Sequence, residues 1–223
     1  MRKSWRSKPV AVALAVLLVF GGMFAAGQTA RANTTTLGST GLFMAPSADV
    51  TSPGGLRLAY HLVGRESTLS FNLGMVPGLE LNAAALLSNY ADRETAVVGA
   101  KVRLLAETRS QPALALGGDV WLDRGGDLYL VVSKAIPQIN GRLHLGLRAG
   151  QDQGLFAGFS YLLNPVTFST RASWTPRTVI MVDLDRDMLN AGVRLDLTRN
   201  LWVDAGLANL QYPIVGAGLQ TSF

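Results

Sequence analysis

Polar and apolar residues alternate along most of this chain in runs of about eight to ten residues, the length a tilted strand needs to cross a bilayer. The clearest example flanks Val76-Pro77-Gly78. Before it, Leu69, Phe71, Leu73 and Met75 share one face and Ser70, Asn72 and Gly74 the other. After it, Leu79, Leu81, Ala83, Ala85 and Leu87 continue the apolar face opposite Glu80 and Asn82. A tight turn between two alternating runs predicts a hairpin.

The pattern recurs between turn residues such as Asp123-Arg124-Gly125-Gly126-Asp127, Asn140-Gly141, Asp152-Gln153-Gly154, Asn164-Pro165 and Thr198-Arg199-Asn200. It predicts strands near 56–63, 67–75, 79–87, 95–105, 113–122, 128–134, 142–149, 155–163, 166–174, 178–184, 188–197, 201–208 and 214–223. Closed single-chain bacterial barrels have an even strand number. Either the segment Leu37–Met44 therefore adds a strand to these thirteen or one of them is not a strand. The expected architecture is all-β, a single antiparallel up-and-down transmembrane β-barrel of about 12–14 strands.

Period two alone does not separate a membrane barrel, apolar face outward, from a soluble sandwich, apolar face inward. Three features favour the barrel. Charged and amide residues share the polar face with Gly, Ala and Ser, a mix suited to a crowded lumen. The chain also begins like an exported protein. Arg2, Lys3, Arg6 and Lys8 precede an apolar run from Pro9 to about Gly27, and Ala30-Arg31-Ala32 forms an A-x-A site before Asn33. This order predicts a cleaved signal peptide over 1–32 and a barrel domain over 33–223. The third feature is the last segment, where Val215, Ala217, Leu219, Thr221 and Phe223 share a face. It resembles the final strand of outer-membrane proteins, whose terminal aromatic is read by the barrel-assembly machinery. Phe223 is the candidate assembly signal.

Removing the leader changes the charge balance. Residues 1–32 carry five of the twenty basic residues and none of the fifteen acidic ones, which leaves fifteen of each. A nucleic-acid partner, which needs a basic face, loses its support. The chain has no cysteine, so neither a disulfide framework nor a lipoprotein anchor is available.

Two stretches resemble a known family. Gly38-Ser39-Thr40-Gly41-Leu42-Phe43-Met44-Ala45-Pro46-Ser47-Ala48-Asp49, followed by Gly54-Gly55-Leu56-Arg57-Leu58-Ala59-Tyr60, is similar to the opening of YjbH-like outer-membrane barrels associated with exopolysaccharide. Ser47 stands where that family usually has Thr. Leu189–Leu195 and Asn200–Leu207 resemble its closing hairpin. The resemblance implies an envelope role connected with polysaccharide, though this chain is much shorter than the larger members.

Chemistry is sparse. His61 and His144 are the two histidines, and no nucleophile motif accompanies either. Asp183, Asp185 and Asp187 have the spacing of half a calcium loop, but Met188 replaces the required Gly and Arg194 the bidentate Glu. That reads as a charged hairpin rim. No cofactor or metal is expected. With apolar faces toward lipid, the inward row holds Arg57, Glu80, Lys101, Arg103, Asp119, Arg142, Arg148, Arg171, Arg194, Asp196 and Asp204. Charges of both signs in a narrow lumen pair with one another and plug it, or leave it weakly cationic and suited to acidic saccharides.

The leading function is a non-enzymatic outer-membrane barrel with a structural or narrow-conduit role in envelope or exopolysaccharide export. Its expected partners are outer-membrane lipid, the barrel-assembly machinery and an acidic polysaccharide. The alternatives are a membrane-embedded lipid or ester hydrolase using His61 or His144, and a soluble periplasmic ligand-binding sandwich.

Overall fold

The computed structural model describes residues 34–88, 94–164 and 176–223. Twelve strands lie among them: β1 (Gly55–Val63), β2 (Glu66–Val76), β3 (Leu79–Ser88), β4 (Glu94–Leu105), β5 (Ala113–Trp121), β6 (Gly126–Ile136), β7 (Gly141–Gly150), β8 (Gly154–Leu162), β9 (Arg177–Asp185), β10 (Met188–Asp196), β11 (Leu201–Ala208) and β12 (Tyr212–Ser222). Each pairs antiparallel with its sequence neighbours, and β12 returns to β1 from Gly55↔Ser222 to Val63↔Ile214, closing the barrel. Closure leaves no unpaired edge, the condition for strands to span hydrocarbon.

Local chemistry explains the hairpins. Pro77-Gly78 turns the chain between β2 and β3, with Gly78 at φ 86°. In the three-residue connection between β11 and β12, Asn209 and Leu210 both take positive φ, 47° and 52°, and the Gln211 N–H closes the turn on the Ala208 carbonyl. That is the backbone a type I′ hairpin requires.

Alternation sorts the side chains. Leu81, Val98, Leu116, Leu128, Leu145, Val182 and Val215 point outward as exposed apolar residues. An exposed apolar surface of this extent, wrapped around every strand, is a lipid-facing belt.

The interior is not hollow. Residues 34–52 run inside the barrel, and Thr34, Ser39, Thr40, Leu42, Phe43, Ala45, Ala48 and Thr51 are all buried there. The wall is shaped to admit them. Four inward rings lie flat across a glycine directly opposite on the next strand: His61 on Gly216, Tyr129 on Gly117, Phe156 on Gly146 and Trp202 on Gly218. A Cβ at Gly218 would stand 2.2 Å from the Trp202 ring, and one at Gly117 2.3 Å from Tyr129. Only glycine gives the rings room to lie against the wall.

One expectation changes. Leu37–Met44 is not a further strand; it takes part only in isolated bridges, Thr34↔Thr40 and Gly41↔Pro46, because its backbone groups bond to one another within residues 34–52 and to lumen side chains instead of a neighbouring strand. The expected strand at 166–174 and the leader at 1–32 fall outside the described residues. The strand count, twelve among the described residues, lies within the expected range.

Candidate functional site

The lumen is the candidate site, and strand register builds it. Residues directly opposite each other on adjacent strands have Cβ atoms about 5 Å apart, within reach for side-chain pairing. Glu80 faces Lys101, Arg194 faces Asp204, Arg177 faces Asp196, Asn190 faces Asp183 and Ser133 faces His144. Each of these pairs is joined by a side-chain contact.

The deepest contacts hold the N-terminal segment through its backbone. Lys101 Nζ lies 2.9 Å from Glu80 Oε1, and both side chains are fully buried. Glu80 accepts the N–H of Thr40 at 2.9 Å and of Thr51 at 2.8 Å. Lys101 donates to the carbonyls of Thr40 at 2.8 Å and Ser47 at 3.0 Å. Arg194 bonds both oxygens of Asp204 at 2.6 Å, lies 4.1 Å over the Trp202 ring, and donates to the Thr34 carbonyl at 3.0 Å. Asp183 accepts the N–H of Phe43 at 2.9 Å, Ser133 Oγ that of Ala48 at 2.8 Å, and Asn82 donates to the Leu37 carbonyl at 3.3 Å. A lumen wall rich in charge thus satisfies the peptide groups of an irregular segment, which would otherwise be orphaned away from water.

A second set of contacts sits at the end of the barrel where β1 begins and β12 finishes. Arg142 holds the Asp49 carboxylate bidentately, with Nη2 to Oδ1 at 2.8 Å and Nε to Oδ2 at 3.1 Å, and also binds Glu107 from the loop between β4 and β5. Lys134 donates to the carbonyls of Thr108 and Arg109, pinning the same loop. Partial burial works to raise Glu107, but the Ala135 N–H and the Arg142 and Lys134 cations outweigh it and hold its carboxyl below the usual range. Beside this cluster a cavity of about 200 Å³ separates segment from wall, lined among others by Asp49, Arg142, His144, Ser160 and Arg177.

The residues singled out from sequence fall into three groups. Arg57, Glu80, Lys101, Asp119, Arg194, Asp196 and Asp204 are buried in the interior, and Arg142 and Arg148 are partly buried at its ends. Arg103 is exposed, beside the Gly78 turn at the rim and not within the lumen. Arg171 lies outside the described residues. Phe223 is exposed, and its N–H pairs with the Gly54 carbonyl.

Several contributors escaped the sequence reading. Asp183 and Asp185 are interior residues and not a hairpin rim; only Asp187 is exposed at the turn. Asp183 binds the segment, and Asp185 pairs with Arg148 at 3.1 Å. Their spacing of two on the Met181 face was the available signal. With Asp127 also buried, these acids offset much of the basic charge on the wall among the described residues. No group of metal-ligating residues is found among the described residues.

The histidines are committed elsewhere. His61 Nε2 binds Asp204 at 3.1 Å. His144 Nδ1 lies 2.8 Å from Ser133 Oγ, a nucleophile-to-base distance, but Ser133 is fully buried beneath the segment and takes the Ala48 N–H. A substrate carbonyl has no approach to that hydroxyl in this arrangement.

No family model matches the chain, and no curated protein matches it. Solved structures do. The KdgM porin matches at TM-score 0.53 and 13% identity, covering 76% of this chain and 99% of that one. The chain shares its fold. The same porin in complex with disordered oligogalacturonate gives the same values, and the Acinetobacter baumannii outer membrane protein Omp33 matches at TM-score 0.47 and 11% identity, covering 76% of this chain and 97% of that one. The likeness is one of fold, a closed antiparallel barrel.

Proposed function

We propose that this chain is a non-enzymatic outer-membrane barrel, exported by a cleaved leader over residues 1–32, that serves as a narrow conduit kept closed by its own N-terminal segment. The observation that carries the reading is the seating of residues 34–52 in a charged lumen surrounded by an apolar belt. A sandwich core would be apolar; this one holds Lys101, Glu80, Arg194 and Asp204. Once the segment moves, water can solvate those side chains, so a passable lumen is chemically reasonable. The KdgM porin complex with oligogalacturonate supports an acidic saccharide as cargo. The resemblance to YjbH-like barrels supports an envelope polysaccharide role, and Phe223 remains the proposed handle for barrel assembly.

Vesicle permeability tests the reading. Purified protein in liposomes should admit small saccharides slowly, and a variant lacking residues 34–52 should admit them freely. Release of the chain with soluble periplasmic contents, without detergent, would overturn the membrane assignment. Loss of lipid-ester hydrolysis on replacing both His61 and His144 by Ala would instead favour the hydrolase.

A further inference from the structure

We propose that Arg142 is a carboxylate-responsive latch: a solute carrying a carboxylate, taken into the cavity beside it, replaces Asp49 on the guanidinium and frees the N-terminal segment. The proposal deepens the conduit reading and rests on it.

The segment's anchors differ in how replaceable they are. Lys101, Glu80, Arg194 and Asp204 have side chains no more than 2% exposed, and a solute cannot reach them while the segment is seated. The Arg142–Asp49 pair is different. Its side chains are 22% and 34% exposed, at the end where the segment leads into β1. Asp49 is the acidic side chain the segment presents to the wall, and it is gripped through both oxygens. A planar guanidinium fork binds any carboxylate in this bidentate way, so an incoming one reproduces both bonds and the charge. The displaced Asp49 is near enough to the rim to hydrate. The exchange therefore leaves no buried charge unpaired, the condition that makes breaking such a pair costly elsewhere.

The cavity gives the newcomer a place. It borders Arg142 and Asp49 themselves, with Leu42, Leu162 and Val179 as apolar lining and His144, Ser160 and Ser47 as polar lining. Its volume of about 200 Å³ is many times the roughly 10–15 Å³ that a single water needs, which gives room for one sugar ring. Mixed apolar and hydroxyl-compatible walls beside an arginine fit a monosaccharide acid better than a simple inorganic anion. Asp49 is followed within a few residues by Ser52-Pro53-Gly54, where Gly54 has φ 71°, so the segment turns sharply before β1. Ala48, immediately before Asp49, is fully buried against Ser133 and reports release.

The chain has no cysteine, so a single Ala48→Cys variant of the full chain gives a clean probe. Its reaction with a thiol reagent is followed with galacturonate, with galactose, and with chloride at matched ionic strength. Galacturonate should speed labelling on the order of tenfold, as a modest shift in the seated population would, while galactose and chloride leave it unchanged. Asp49→Asn in the same background should label fast with or without galacturonate. Equal labelling with galacturonate and galactose overturns the proposal, and an equal rise with chloride reduces it to charge screening and overturns it too. Should Ala48→Cys not assemble, hydrogen exchange at the Thr40 and Ala48 amides of the unmodified chain reads the same release. A barrel lacking residues 34–52 that passes no saccharide sinks the conduit reading while leaving a galacturonate response to stand for the latch alone.

Discussion

Lys101 and Glu80 show how single residues decide what the lumen holds. Each is buried beyond reach of water, and each binds both its partner and the segment's backbone. Removing one leaves the other charged and unpaired, so Lys101→Met should lower unfolding stability by about 3–5 kcal/mol. The double variant Lys101→Met/Glu80→Gln should lose less than the sum of the singles, since the stranded charge goes with its partner. Additive losses in urea titrations of the refolded barrel would show that the pair is not coupled. At the opposite extreme is Leu210, exposed with φ 52° in the turn between β11 and β12. A left-handed conformation costs a side-chain-bearing residue roughly 1–2 kcal/mol. Leu210→Gly gives the favoured Asn-Gly turn and should raise stability by about 1 kcal/mol, read in the same titrations. These two sites also mark what sequence reveals. The alternation that sets Lys101 inward was visible, and pairing with Glu80 follows from register. That the pair would grip the backbone of residues 40, 47 and 51 was not, because contacts with a segment 29 or more residues away leave no local periodicity.

The strands were legible because their two faces meet different solvents. Each predicted strand among the described residues coincides with one of β1–β12 to within a few residues, since turn chemistry at Pro77-Gly78 or Asn209 stops pairing sharply. The segment of residues 34–52 was harder to read, for a physical reason. Its Gly, Ser, Thr and Ala residues are small enough to fit beneath flat rings, and such composition resembles a loop as much as a strand. The facing assignment has a direct test. Leu145 is 52% exposed on β7, and Leu145→Arg puts a charge into lipid at a cost of roughly 2–4 kcal/mol near the midplane. Heat-modifiable, membrane-inserted protein should fall accordingly. Asn82, buried beside the Leu37 carbonyl, behaves differently: Asn82→Arg should insert but displace the segment, exposing it to added protease. Equal insertion defects at both positions would contradict the facing assignment.

At the scale of the whole molecule, closure and occupation are separate facts. The β1–β12 pairing removes every strand edge and lets the barrel stand in lipid. Occupation of the lumen sets what the barrel can pass. The terminal strand links the two, because Phe223 pairs with Gly54 where the segment becomes β1. Deleting Phe223 removes an exposed ring worth at most about 1.5–3 kcal/mol to a lipid interface, so assembled protein should drop more than unfolding stability does if the residue is read during insertion. The decisive measurement is planar-bilayer conductance of the full chain beside a variant lacking residues 34–52. The full chain should be nearly silent and the variant should carry a steady ohmic current, whereas equal conductance from the two would contradict a lumen closed by its own N-terminal segment.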